Sequence, residues 1–437
     1  MKIAICGLWH QGIVAAGCLA KQNYQVVGVD LDEDAISTLS SGKSPIFEPG
    51  LDDLLGDTIA SGKLTFQTDF VGAVEDADVV LITFDTPVDE NDLSDLSVVF
   101  DCVELIAPAL SSSATLLVTA QVPIGTCDEL IKRINAKKPT WPGYIAYIPE
   151  NLRLGQAIER FECPPLPVIG TDSDQAYNTL LELFEPYGQE WRRVSLRTGE
   201  MVKHALNGFL AVSICYANEI GRLCDEMGAD GTDVAKVLRL EPRIGAKAML
   251  MPGLGFSGGT LARDIQTLRH LGIDQGLKTE LLDGAWESNS QQNGLVLRKL
   301  KKQFGNVSGR KIAVLGLTYK ENTSTLRRSA ALEVIADLKA EGALVSTHDP
   351  QAPADEVAAI IGETPNADVF GAIKDTDALV LMTPWSDYKS IDFGEVQKSM
   401  NGTYVLDTAG LWSADNVYSA GLQYDDIGRG RQAAALS

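Results

Sequence analysis

The sequence predicts an α/β fold in which two parallel-sheet domains flank a helical middle containing one long helix. Three observations carry that expectation. Short β-branched runs alternate with helical patterns through the first third of the chain. Apolar residues recur at helical spacing, without a proline, from about Thr198 to Met227, and a second alternating region opens at KIAVLGL, 311–317. Alternation of this kind marks βαβ units around a parallel sheet.

Taken along the chain, the first strands are KIAIC at 2–6, QVVGVD at 25–30, ADVVLIT at 77–83, ATLLVTA at 114–120 and YIAYIP at 144–149. The run from 198 to 227 has glycine only at 199, 208 and 221, which predicts one long helix linking domains. Helical patterns continue to about 304, broken by PGLGFSGGT at 252–260, where glycine and proline demand a loop. After FGNVSGR come the strand KIAVLGL, a helical stretch at 330–341, the strand ALVSTHD and the strand DALVLMT at 377–383. The expected division is 1–197, 198–304 and 305–437.

A length of 437 residues implies two or three domains, each with a sizeable core. The net charge of −22 gives a surface that repels phosphate backbones and acidic lipid headgroups, so neither nucleic acid nor membrane is an expected partner. The opening MKIAICGL lacks the apolar core and cleavage site of a signal peptide, and no run approaches the roughly 20 apolar residues of a membrane span. A cytoplasmic location follows as an expectation. The seven cysteines are scattered without CxxC spacing and read as reduced core thiols. The four histidines make no recognisable ligand set, so no metal site is expected.

The strand KIAIC runs into Gly7-Leu8-Trp9-His10-Gln11-Gly12 and an apolar helix, and the next strand ends in Asp30, 18 residues after Gly12. This places a dinucleotide site at the first crossover. A tight turn at the first glycine sets the pyrophosphate on a helix N-terminus, and the carboxylate accepts hydrogen bonds from ribose hydroxyls. An acidic rather than a basic residue at 30 favours NAD over NADP. Trp9 stands where the fingerprint wants glycine, so its indole must turn away or shift the cofactor.

The segments KIAICGLWHQG, VVGVDLDEDAISTLSSGKSPIFEPGL, FDTPVDEND, VPIGT, PENLRLGQAI, GEMVKHALNGFLAVSICYANEI, PRIGAKAMLMPGLGFSGG and KIAVLGLTYKENTSTLR follow one another in this order. Together they resemble the UDP-glucose/GDP-mannose dehydrogenase family over nearly the whole chain. The resemblance implies two Rossmann-like domains, an N-terminal one for NAD and a C-terminal one for a nucleotide sugar of the UDP-glucose kind. Between them it implies a helical domain that makes a homodimer. Members of that family oxidise a sugar's C6 alcohol to a uronate in two NAD-dependent steps.

The same resemblance assigns residues. Lys203 and Asn207, four apart and so on one helix face, match the lysine and asparagine that flank the sugar. Asp264 matches the aspartate of proton transfer, and Glu150 the acidic residue of the family's PEF segment. Arg243, Phe256, Gly258, Tyr319 and Lys320 match the substrate side. Gly7, Trp9, Gly12, Asp30, Thr86, Gln121 and Arg327 match the cofactor side. Against the resemblance, lysines and carboxylates usually sit on solvated faces.

Several positions depart from the family pattern together. Thr260 occupies the cysteine position of the family's GFGGSCFPKD loop, Leu154 replaces the second glutamate of PEFLxEG, and Gln121 replaces the threonine of STVP. The segment Asp407-Thr408-Ala409-Gly410 lacks the arginine of the family's DGR. A thiolate carries an aldehyde through a thiohemiacetal to a hydrolysable thioester, whereas a threonine hydroxyl without an adjacent base is a far weaker nucleophile. The sequence therefore predicts an NAD-dependent oxidoreductase limited to the alcohol–aldehyde step. Two alternatives stay open: complete oxidation through a hydrated aldehyde, and a catalytically silent binding homologue.

Overall fold

The first 206 residues form a sheet whose central strands are short, apolar and covered on both sides, as parallel strands must be, while its edge strands carry polar residues. The structure, a computed structural model, describes residues 1–89, 93–256 and 260–430. It divides into two compact units, Met1–Leu206 and Asn207–Ser437.

In the first unit the strands are β1 (Lys2–Cys6), β2 (Gln25–Val29), β3 (Leu64–Gln67), β4 (Val79–Ile82), β5 (Thr115–Val118), β6 (Ile145–Tyr147), β7 (Val168–Gly170) and β8 (Arg192–Val194). Their order is β3-β2-β1-β4-β5-β6-β7-β8. The pairs are parallel except β6 with β7, which meet antiparallel at Tyr147 and Gly170. Alternate residues face opposite layers, as the two-residue period of a strand requires. Ala4, Cys6, Val80, Ile82, Leu116 and Val118 pack against Val99, Val103 and Ile106 on one side. On the other, Ile3, Ile5, Leu81 and Leu117 pack against Ile13, Val14 and Leu19.

The helix His10–Lys21 is buried over every residue from Gly12 to Ala20. Each large aliphatic side chain in it adds roughly 1.5–3 kcal/mol by leaving water, so the helix end near His10 is held firmly. The long helix expected from Thr198 begins slightly earlier, at Leu196, and runs to Met227. Its first turn touches β7 without side chains between: a Cβ built on Gly170 or on Gly199 would lie 2.8 Å from the other's Cα.

The second unit holds β9 (Lys311–Leu315), β10 (Leu344–His348), β11 (Ala378–Leu381), β12 (Tyr404–Asp407) and β13 (Gln423–Asp426), in the order β10-β9-β11-β12-β13 and parallel throughout. It also contains the helices Gly231–Leu238, Thr260–Asp274, Glu280–Asn293 and Leu295–Phe304. Within this unit the long helix buries Ala211, Cys215 and Asn218 and exposes Phe209, Tyr216, Leu223 and Met227. None of the described helices is long and apolar enough to cross a membrane. The seven cysteines are unpaired, and Cys163 departs from the expected core placement by lying exposed.

Candidate active site

β1 delivers the chain to Gly7, whose φ of +98° is a conformation that L side chains rarely adopt. Space forbids a side chain there as well, since a Cβ would meet the Phe84 ring and amide at 2.9 Å. Gly12 is tighter still: its Cβ would fall 2.0 Å from the Gly7 carbonyl oxygen and 2.7 Å from Thr83 Oγ1. Thr83 Oγ1 donates to that same carbonyl at 2.6 Å, which locks the turn. Trp9 is the N-cap of the following helix with φ −98°, and it is 56% exposed. The backbone at 9 is ordinary for any residue, and the indole projects into solvent rather than into the packed turn.

Asp30 follows the end of β2. Its Oδ2 accepts from Leu8 N at 2.7 Å and its Oδ1 from Asp32 N at 3.2 Å. A carboxylate offers about four lone-pair directions, so Asp30 braces the turn and keeps capacity for ribose hydroxyls. The turn lies where the strand order reverses between β1 and β4, the crevice in which parallel sheets take their ligands. The free N–H groups of the His10 end suit an anionic pyrophosphate. These residues fit a dinucleotide.

Elsewhere in the first unit, Lys203 is 4% exposed. Its ammonium donates to Glu150 O at 2.5 Å and to Asn151 Oδ1 at 3.4 Å, with Glu150 Oε2 3.9 Å away. Glu150 Oε1 in turn accepts from Leu152 N. A buried ammonium needs such partners, because an unpaired one would cost several kcal/mol. Thr86 is buried and its hydroxyl donates to Gln121 O at 2.8 Å, which ties these two residues together.

In the second unit, Asp264 is fully buried and its Oδ2 accepts from Asn207 Nδ2. Thr260 opens the helix Thr260–Asp274 one turn before Asp264 and is exposed. Phe256 is gripped through its backbone, donating to Asn289 Oδ1 at 2.7 Å and accepting from Asn289 Nδ2 at 3.1 Å. Gly255 has no room for a side chain, because Asn293 and Asn289 side-chain oxygens lie 2.5 and 2.7 Å from its would-be Cβ. Gly258 lies outside the described residues.

Cys215 shares an apolar cluster with Phe256, Ala262 and Ile265. Its thiol donates to Ala285 O at 3.1 Å, and burial pushes its pKa up to about 11. Lys320 Nζ stands 5.3 Å from the centre of the Tyr319 ring, and Tyr319 N donates to Thr325 O at 3.1 Å. Arg243 is largely exposed and pairs with Glu241 at 2.8 Å. Arg327 is exposed between Thr318 and Ser329.

The structure thus joins Lys203 with Glu150, Asn207 with Asp264, Thr86 with Gln121 and Tyr319 with Lys320, whereas Arg243 is committed to a neighbour two residues away. Sequence reasoning missed Asn289, the clamp on Phe256, and Glu48, which accepts from His10 at 3.2 Å if that ring nitrogen carries the proton. The only sequence signal for Glu48 was a carboxylate set between Phe47 and Pro49.

A parallel sheet with a locked glycine turn, an open helix end and a ribose-ready carboxylate defines a dinucleotide-binding protein of the Rossmann type. Models of the UDP-glucose/GDP-mannose dehydrogenase family match residues 1–188 as its NAD binding domain, 197–291 as its central domain and 313–414 as its UDP binding domain. The chain is 36% identical over 436 residues to a UDP-glucose 6-dehydrogenase of Rhizobium meliloti (strain 1021), spanning 98% of this chain and 100% of that one. It is 34% identical to UDP-glucose 6-dehydrogenase TuaD of Bacillus subtilis (strain 168), over 98% of this chain and 93% of that one. Among solved structures it is similar to a UDP-glucose dehydrogenase from Pyrobaculum islandicum, with TM-score 0.83, 30% identity and 93% of each chain covered. The chain belongs to the UDP-glucose/GDP-mannose dehydrogenase family and is an NAD-dependent oxidoreductase.

Proposed function

We propose that this protein oxidises the C6 alcohol of a UDP-glucose-like nucleotide sugar to the aldehyde, or runs that step in reverse, and stops there. The observation that carries the reading is Thr260 at the start of its helix, with the cysteine of the adjoining cluster, Cys215, buried and held protonated. A neutral, enclosed thiol is no nucleophile for an aldehyde. The Thr260 hydroxyl has no cysteine-like acidity to offer in its place.

The first oxidation asks less of the protein. A bound NAD would supply the acceptor for the hydride of the carbinol carbon. The chain must position the alcohol, accept the hydroxyl proton and steady the oxygen as it gains negative charge. Lys203, held by the Glu150 carbonyl and the Asn151 amide, suits the oxygen. Asp264, oriented by Asn207, suits the proton. Gly7, Gly12 and Asp30 would hold the dinucleotide, with Thr86 and Gln121 beside it. Tyr319 and Lys320 would meet the nucleotide sugar.

We further propose the three-part division 1–197, 198–304 and 305–437, and a homodimer formed through Phe209, Tyr216, Leu223 and Met227, an apolar stripe nearly in heptad register. The unpaired thiols suit a reducing compartment, the cytoplasm.

The test incubates purified protein with NAD and a panel of nucleotide sugars. One reduced cofactor per sugar, with aldehyde as product, is the expected yield, and Thr260→Cys should open the second step. The rival reading is complete oxidation to the uronate, favoured by relatives that are named 6-dehydrogenases. Two reduced cofactors per sugar from the unaltered protein would establish it.

A further inference from the structure

A buried, fully engaged carboxylate in the first unit belongs to a residue that none of the assignments above uses. Glu48 has a side chain 1% exposed. It lies between Phe47 and Pro49 on a segment with no regular structure. Its Oε2 accepts from Gly155 N at 2.8 Å, and its Oε1 accepts from Ala157 N at 2.8 Å. The same Oε2 lies 3.2 Å from His10 Nε2. A carboxylate taken out of water is costly unless its lone pairs are filled. Here two backbone donors and one imidazole fill them.

The three partners come from places of different importance. His10 is the first residue of the helix His10–Lys21, at the end that suits the pyrophosphate. Gly155 and Ala157 close the segment that starts at Pro149-Glu150-Asn151, the carbonyl and amide that hold Lys203. Gly155 adopts φ +85°, which aims its N–H at the carboxylate and which other residues enter only under strain. A Cβ at Gly155 would touch nothing, so conformation and not space demands glycine there. One buried side chain therefore bolts the dinucleotide turn to the segment that orients the candidate catalytic lysine.

We propose that Glu48 is a positioning residue: through His10 it couples occupancy of the dinucleotide turn to the order of residues 150–157, and so to the placement of Lys203. This rests on the oxidoreductase reading given above. It touches neither substrate nor cofactor, so its loss alters how well the reacting groups are set and not whether the dinucleotide binds. Glu48→Gln is the informative change. It keeps the volume but replaces one acceptor oxygen with a donor, so Gly155 N–H and Ala157 N–H can no longer both be satisfied.

The test uses the full chain and reads both kinetics and amide hydrogen exchange with and without NAD. In the unaltered protein, NAD should slow exchange at 7–12 and also at 150–157. In Glu48→Gln and in His10→Leu, protection at 7–12 should persist while protection at 150–157 disappears. Turnover per NAD-binding site should then fall roughly tenfold, with KM for NAD changed less than about threefold. His10→Gln, which keeps a side-chain N–H for the carboxylate, should restore the coupling. A role confined to stability would lower the melting temperature and leave turnover per NAD-binding site unchanged.

Unchanged protection and turnover in Glu48→Gln would overturn the inference and leave the dehydrogenase reading intact. So would an unaltered protein in which NAD protects 7–12 alone. An unaltered protein that couples both segments yet oxidises no nucleotide sugar would sink the catalytic reading and keep the coupling.

Discussion

The two sheets begin their first crossover in the same way and complete it differently. In the first, Gly7 N donates to Val29 O at 3.0 Å and Asp30 takes the next amide, Leu8 N, at 2.7 Å. In the second, Gly316, also with positive φ at +83°, donates to His348 O at 2.9 Å, and Asp349 takes Leu317 N at 2.6 Å. Then they part. A helix starts at His10 in the first crossover, whereas in the second the chain wanders until Ala330. Asp349 also accepts from Thr318 N, Thr318 Oγ1, Trp385 Nε1, Gln351 N and Ala352 N. Its oxygens are filled, while those of Asp30 are not. The glycine turn with its trailing carboxylate is first of all a way to fold a crossover. It becomes a dinucleotide site only where a helix end closes on the turn and the carboxylate keeps lone pairs to give.

The comparison can be broken most severely at Gly12. A methyl there would overlap the Gly7 carbonyl at 2.0 Å, so Gly12→Ala should destabilise the first unit by about 4 kcal/mol or more. Denaturant unfolding would measure it, and a change under about 1 kcal/mol would mean the turn is looser than the packing implies.

The two carboxylates should then separate by function. Asp349→Ala strips several buried donors of their acceptor and should lower stability by about 3 kcal/mol, with NAD affinity within about twofold of normal. Asp30→Ala should weaken NAD binding roughly tenfold or more at a smaller stability loss. Calorimetry on both variants decides, and equal losses of affinity would erase the distinction.

A third difference is electrostatic. Burial raises Asp426, in the second unit, to about 7 despite Arg429 Nη1 at 3.2 Å. A carboxyl whose folded pKa exceeds its unfolded value near 3.9 binds its proton more tightly when folded. Its stabilising contribution is complete below about pH 4 and is lost as pH rises through about 7. Asp426→Asn should therefore remove a pH-dependent loss on the order of 2 kcal/mol between those limits. Melting curves at pH 5 and pH 8 would show a smaller gap in the variant.

The smallest effect is expected at Trp9. With its backbone at φ −98° and its indole 56% exposed, Trp9→Gly should change NAD affinity less than about threefold, under 0.7 kcal/mol. A tenfold gain would show that the indole does obstruct the pyrophosphate.

The order of strands and helices was legible wherever a long apolar run met a glycine turn, as at KIAIC-Gly7 and KIAVL-Gly316. β7 and β8 were not, because three residues each, VIG and RRV, carry no period to read. The antiparallel step between β6 and β7 has no local signal either, since it depends on where the chain returns. In the site, Asp30 and the two outer glycines followed from spacing, and Asn207 and Asp264 from the resemblance. Glu48 escaped because burial is a tertiary property: beyond its place between Phe47 and Pro49, its own sequence does not separate it from the solvated Glu33 or Glu75. Trp9 looked like a defect because the fingerprint assigns glycine there, and the ordinary backbone torsion at that position has no trace in the letters.

The bare contact of Gly170 with Gly199 has a consequence for anyone who wishes to re-tune this enzyme. Main chain rests on main chain, so the N-terminal end of the long helix has no soft cushion to compress. Lys203, one turn further on, inherits that fixed height. Substitutions elsewhere can tilt its neighbours, but sliding the ammonium along the helix axis would require first prising two backbones apart.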